Sequence, residues 1–350
     1  MLMHGSHYRR ILTLLALGGI VLAAGLWVAQ RQQSREVLVD VANAAEADPL
    51  PSWNDTKAKR SILAFVRAVT DQNGSDYVAP AARIAVFDND GTLWSEQPLY
   101  IQLAFALDRV KSLAPEHPEW RTTQPFQAVL ENDTKALGAA GVKGILELVV
   151  ATHAGMTTDE FERIGKAWFA SAKHPRFNRP YTDLAFRPMV ELLDHLRANG
   201  FRTYIVSGGG IEFMRVIAEQ LYGFPPAQVL GSSGKLRYEI RDGVPVMVRL
   251  PELDFFDDKE GKPAAIQKFI GQRPIAAFGN SDGDLQMLQW TAAGPGRRLM
   301  LLVDHTDASR EYDYRVSPMG RLDVALTEAN QRGWTVVSMK DDWKRIFAFE

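Results

Sequence analysis

The chain has 350 residues, 46% of them hydrophobic and 23% charged, which is a globular composition and excludes disorder or fibrous repeats for its bulk. Its 40 Lys and Arg nearly balance 42 Asp and Glu, leaving a net charge of -2 and no basic field to draw nucleic acid. Cysteine is absent, which excludes disulfides, thiolate metal sites, iron–sulfur clusters and a cysteine nucleophile, and makes export to an oxidising compartment costless.

Ile11 to Gln30 is uncharged and mostly apolar, with Arg9 and Arg10 before it and Arg31 and Arg35 after it. As a helix this run rises about 30 Å, the thickness of a bilayer core, and the leading arginines favour a cytoplasmic amino terminus. Residues 1–30 are therefore read as a membrane-spanning helix or a signal segment, the latter cleaved at Ala42-Asn43-Ala44; a buried soluble helix is the third reading. The expected location is the bacterial inner membrane with the domain facing the periplasm, or the periplasm itself. Residues 31–54 read as a polar linker.

Asp55 to Thr70 places Ile62, Phe65, Val66 and Val69 on one face, the spacing of an amphipathic helix. Arg83 to Phe87 is a short apolar run of the kind a strand buried on both faces requires. Thr203 to Val206, Ile275 to Phe278 and Leu299 to Val303 repeat it, and helical stretches at Pro188 to Ala198, Glu212 to Tyr222 and Pro263 to Ile270 alternate with them. Strand, crossover helix, strand predicts an α/β fold with a doubly wound, Rossmann-like parallel sheet. The interval from Phe87 to Thr203 is far longer than one crossover needs. It carries helical segments over 98–113, 124–138, 141–153 and 157–172, the last opening on the capping box Thr157-Thr158-Asp159-Glu160. An inserted α-helical cap subdomain over 98–185 is expected, interrupting a core of 55–97 and 186–350. Lys235 to Leu250 reads as a β-hairpin turning at Asp242-Gly243.

The chemistry gathers where strands end. Asp88 and Asp90 follow the first strand in Phe87-Asp88-Asn89-Asp90-Gly91-Thr92, and the carboxyl ends of strands are where open α/β sheets bind ligands. Two acids placed there repel unless a cation or protons offset them, and Mg²⁺ prefers such oxygens. Ser207-Gly208-Gly209-Gly210 follows the second strand; a hydroxyl and unobstructed backbone N–H groups at a helix start suit a phosphate. Asp257-Asp258-Lys259-Glu260-Gly261-Lys262-Pro263 brings an ammonium to the same edge, with Lys262 favoured over Lys259 because Pro263 suits a first helical turn. Phe278-Gly279-Asn280-Ser281-Asp282-Gly283-Asp284 adds further oxygen ligands after the next strand.

These four pieces, in this order, resemble the haloacid dehalogenase-like hydrolase superfamily, in its phosphoserine-phosphatase-like branch with a helical cap. The family's D-x-D-G-T is met by Asp88, Asp90, Gly91 and Thr92, its Ser/Thr motif by Ser207, and its lysine by Lys262. Its G-D-x-x-x-D is met with Asn280 at the first acid and Asp284 at the second. The resemblance implies a Mg²⁺-dependent phosphatase of small phosphorylated metabolites. In it Asp88 is the nucleophile and Asp90 the general acid and base, and Ser207, Gly208 and Lys262 bind the phosphate. Asp88, the Asp90 backbone, Asn280 and Asp284 are then the metal site. A phosphotransferase or phosphonatase on the same intermediate, and a non-catalytic anion-binding domain, are the alternatives. The branch's substrate-recognising glutamate nine residues after the nucleophile is Gln97 here, with Glu96 one place earlier. His153, His174 and His195 read as structural, Phe161, Ile164 and Trp168 as cap core, and Trp94 equally as entrance or core.

Overall fold

The computed structural model describes residues 48–317 and 319–350, so the anchor or signal reading of 1–30 and most of the linker lie outside the described residues. Among those described, no single helix is long and apolar enough to cross a membrane. From Leu50 to Glu350 the chain forms one unit, so residues 50–54 of the stretch read as linker belong to it. Leu50 and Trp53 are buried, Trp53 meets Trp343 edge-on at 5.9 Å, and its indole donates to the Pro188 carbonyl at 2.9 Å. Two large apolar side chains in a polar stretch dock on the core because burial of each contributes about 1.5–3 kcal/mol.

The sheet has seven strands: β1 (Ile84–Phe87), β2 (Arg202–Gly210), β3 (Val229–Arg241), β4 (Val244–Phe255), β5 (Ala276–Gly279), β6 (Leu299–Asp304) and β7 (Thr335–Ser338). Their order is β4-β3-β2-β1-β5-β6-β7, all neighbours parallel except the antiparallel pair β3–β4. From β1 the chain builds outward to β2 and β3 and later returns to fill the other side with β5, β6 and β7. The reversal opens a crevice at the carboxyl ends of β1 and β5.

Both faces of the sheet are covered. On one, Ala85, Phe87, Ile205 and Phe278 pack with α1 (Lys57–Thr70) and α6 (Arg187–Ala198), and the rings of Phe87 and Phe278 stack at 4.2 Å. On the other, Val86, Val206 and Ala277 meet Met287 and Leu288 of a helix over Leu285–Ala292 and Ala325 and Ala329 of one over Val324–Arg332.

Between β1 and α6 stand four helices: α2 (Ile101–Leu113), α3 (Phe126–Glu131), α4 (Thr134–His153) and α5 (Thr158–Ser171). The stretch expected as one helix over 124–138 breaks after Glu131, where Asn132 turns left-handed at φ 55° and Asp133 caps the next helix through the Lys135 and Ala136 N–H groups. Where separate helices over 124–138 and 141–153 were expected, Thr134 to His153 runs as α4 with a kink at Gly141. Val110, Trp120, Phe126, Val129 and Leu148 give this insertion an apolar cluster of its own. The capping box at Thr157 forms in both directions. The hairpin turns at Asp242 and Gly243, both at positive φ, but its strands run further than the sequence pattern suggested.

Candidate active site

β1 ends at Phe87, and the next seven residues curl into a tight loop at the mouth of the crevice. The Asn89 carbonyl accepts from Thr92 and Leu93 N–H groups, and the Gly91 N–H donates to the Trp94 carbonyl at 2.8 Å. Gly91 sits at φ +77°, and a Cβ there would fall 2.0 Å from Asn280 Nδ2 and 2.3 Å from Glu96 Oε1, so only glycine fits. The loop thereby presents Asp88 and Asp90 on the crevice side.

Lys262 reaches across from a short helix at Gly261–Ala265 and donates from Nζ to Asp88 Oδ1 and Asp284 Oδ1, both at 2.6 Å. Lys259 takes no part: it turns at φ 51° and its backbone N–H bonds the Gly283 carbonyl. Asp284 is fully buried; its Oδ2 accepts from the Asn280 and Ser281 N–H groups and the Ser281 hydroxyl. Its carboxylate is thus engaged in positioning Lys262 and the loop after β5. Asp282 is drawn away, since its Oδ1 accepts from the Asp323 and Ala325 N–H groups at the start of another helix. Asn280 Oδ1 accepts from the Thr92 hydroxyl at 3.0 Å and Nδ2 donates to Glu96 Oε1 at 2.8 Å. Ser207 to Gly210, expected as a loop after the second strand, instead form the end of β2 with a bulge against β3; there the Gly209 N–H donates to Ser207 Oγ and the Gly210 N–H to Gln102 of α2, so the insertion touches this glycine-rich strand end.

Asp88 and Asp284 flank the Lys262 ammonium, with Asp90 and Glu96 nearby, and the electrostatics follow. Burial, then the Asp284 carboxylate, pushes Asp88 up to about 8 in spite of Lys262. Burial raises Asp90, opposed by the Trp94 hydrogen bond and by Lys262; burial and the neighbouring Asp90 and Asp88 hold Glu96 well above the usual carboxylate range. For Lys262, burial pulls downward, yet Asp284 and Asp88 outweigh it and keep the ammonium charged.

This donor set fits a hard divalent cation. It is acidic beyond what Lys262 offsets, since Asp88, Asp90 and Glu96 are all held above the usual carboxylate range in its neighbourhood. No three His, Asp or Glu side chains converge among the described residues, so Asp88, the Asp90 carbonyl and the Asn280 amide oxygen are the protein atoms left to hold it, with water completing the shell.

Sequence reasoning missed a second, buried tier. His305 Nε2 lies 2.7 Å from the Gly91 carbonyl and Nδ1 3.2 Å from Glu311 Oε2, while its ring stacks on Tyr314 at 3.6 Å. Glu311 also accepts from the Ser95 hydroxyl, the Tyr314 hydroxyl and the Tyr312 N–H. These groups brace the catalytic loop from behind, and no local pattern marks a histidine that acts through a carbonyl so far away in sequence. Of the histidines read as structural, His174 is buried and bonds the Gln97 carbonyl at 2.6 Å, and His153 packs between Phe105 and Phe161. Of the two readings of Trp94 the structure shows core: the ring is buried near Phe169, and its indole N–H meets Asp90 Oδ1 at 2.7 Å.

A parallel sheet with a paired-acid loop at its switch point and a lysine bridging that loop to the next strand defines a hydrolase-type active site of the α/β class. The haloacid dehalogenase-like hydrolase pattern matches residues 85–289, and the chain belongs to that family. No curated protein sequence matches the chain. Among solved structures, a conserved functionally unknown protein from Anaerococcus prevotii is similar at 19% identity and a TM-score of 0.55, covering 83% of this chain and 94% of that one. A protein of unknown function from Bordetella pertussis follows at 16% identity, 73% and 98% coverage and a TM-score of 0.46. A phosphoserine phosphohydrolase-like protein from Francisella tularensis has 16% identity, 63% and 87% coverage and a TM-score of 0.36. The first of these likenesses speaks for the fold.

Proposed function

We propose that this hydrolase is a Mg²⁺-dependent phosphatase of small phosphomonoesters, working through a phosphorylated Asp88. The observation that carries the reading is the Lys262 bridge between Asp88 and Asp284 at the strand switch, which fixes one carboxylate oxygen and leaves the other for attack. Asp88 Oδ2 attacks phosphorus, the bond to the ester oxygen breaks, and the Asp90 carboxyl gives its proton to the departing alkoxide. Water then attacks the acyl phosphate, Asp90 takes a proton from it, and Asp88 returns as a carboxylate with inorganic phosphate released. Ser207, Gly208 and Lys262 carry the donors suited to the phosphoryl oxygens. Mg²⁺ held by Asp88, the Asp90 carbonyl and Asn280 would supply charge neutralisation of the phosphoryl group.

Turnover of p-nitrophenyl phosphate with Mg²⁺, lost in Asp88→Asn, is the expected result. Phosphate passed to added alcohols faster than to water favours the phosphotransferase alternative, and anion binding without turnover favours the non-catalytic one. A panel of phosphorylated metabolites then assigns the substrate. The uncharged run over 11–30 supports a separate proposal, that the domain is held at a bilayer and faces the periplasm. Full-length chain that sediments with membranes through alkaline washing supports it, and recovery in the soluble fraction refutes it.

A further inference from the structure

We propose that Trp94 is a positioning residue for proton transfer: its indole N–H holds one oxygen of the Asp90 carboxyl and so aims the other at the leaving group. This rests on the phosphatase reading, in which Asp90 is the general acid. The bond from Trp94 Nε1 to Asp90 Oδ1 is 2.7 Å long, and among the described residues no second donor reaches that carboxyl. The other oxygen faces the glycine-rich strand end: a Cβ added to Gly209 would lie 3.4 Å from Asp90 Oδ2 and 3.5 Å from Ser207 Oγ. An indole nitrogen is a donor only. The oxygen that accepts from it is fixed, and Oδ2 is left as the oxygen that faces the glycine-rich end of β2 and Ser207.

The donor itself is immobile. Trp94 is 1% exposed, its carbonyl accepts from the Gly91 N–H, and its backbone pairs with Ala185 on the return from the insertion. Its ring lies 6.2 Å from that of Phe169 on α5. Phenylalanine keeps an aromatic ring but leaves a void where the second ring stood, whereas benzothienylalanine keeps the shape, so the two together isolate the contribution of the N–H. Without it the carboxyl is free to turn about its own axis, and the acid oxygen loses its fixed direction.

The reaction offers a readout that packing does not. Breaking the P–O bond of an alkyl phosphate needs a proton on the departing alkoxide; p-nitrophenolate leaves without one. Because kcat/KM reports steps through phosphorylation of Asp88, the comparison is insensitive to the later hydrolysis. Trp94→Phe is expected to lower kcat/KM for an alkyl phosphate by roughly 10- to 100-fold, a part of the factor general acids supply. The value for p-nitrophenyl phosphate should stay within about threefold, since its leaving group needs little acid assistance. Benzothienylalanine introduced at this position alone, which exchanges only the N–H for sulfur, should reproduce the pattern and keeps the test valid if the phenylalanine variant folds poorly. A ratio of alkyl to aryl activity unchanged from wild type, or an equal fall for both esters, overturns the proposal. Turnover of neither ester by the wild-type chain overturns the phosphatase reading and this proposal with it, whereas an active wild type with an unchanged ratio overturns this proposal alone.

Discussion

Replacing His153 by phenylalanine should remove a defined share of the acid sensitivity of the fold. His153 closes α4, is 2% exposed, and packs 5.3 Å from Phe105 and 4.9 Å from Phe161. Two cations face it: Arg249 of β4, which pairs with Glu212 at 3.0 Å, and Arg109 of α2. Burial first, then Arg249 and Arg109, push the imidazole down to about 3. The unfolded chain protonates this ring near 6.5, so between the two values the unfolded state holds a proton that the folded state refuses. Stability is therefore complete above about pH 6.5 and falls as pH drops towards 3, by about 1.4 kcal/mol per unit, or about 2 kcal/mol at pH 5. The raised carboxylates Asp88, Asp90 and Glu96 act in the opposite direction, because the folded state holds their protons more tightly. Their contribution is common to both proteins and cancels in the difference. Urea unfolding at pH 8 and pH 5 should show wild type losing about 2 kcal/mol more than His153→Phe on acidification. Parallel losses would mean that this ring is protonated in the fold, and the reasoning would fail.

Asp88→Asn should reduce phosphate ester turnover by roughly 10⁴-fold or more with an unchanged circular dichroism spectrum, since among the described residues no other carboxylate is placed to attack. Lys262→Met leaves Asp88 and Asp284 buried without their cation; a loss of about 3–5 kcal/mol in denaturant unfolding is expected, together with inactivity. Gly91→Ala pushes a methyl group into Asn280 and Glu96 at a φ that side chains avoid, so melting temperature and activity should fall together. Chelation with EDTA should abolish turnover and added Mg²⁺ restore it; undiminished activity in excess chelator refutes the cation site.

The strands were legible because β1, β2, β5 and β6 are buried on both faces and so read as short uninterrupted apolar runs, each closed by a polar or glycine-rich turn. Asp88, Asp90, Ser207 and Asn280 were legible for the same reason, since a strand end addresses its neighbours. Lys262 could be preferred over Lys259 from Pro263 alone, though only the fold shows Lys259 turned aside by its left-handed backbone. The strand at Thr335–Ser338 escaped notice because it is four residues long at a sheet edge and only Val337 is buried. His305, Glu311 and Tyr314 escaped because their partners, Gly91 and Ser95, lie in another part of the chain, and stacking and carbonyl contacts leave no periodic trace. Glu96 was visible one place from its expected position, but its bond to Asn280 depends on how the loop after β5 turns.

The path of the chain into and out of the insertion has a consequence for how such an enzyme diversifies. The outgoing and returning segments run side by side: the Phe186 N–H bonds the Leu93 carbonyl at 2.8 Å, the Ser95 N–H bonds the Leu184 carbonyl at 3.2 Å, and His174 fastens to Gln97. Everything between leaves and rejoins at one narrow neck, as a graft joins a stem. Helices there can lengthen or be exchanged for others while the acids behind the neck keep their places.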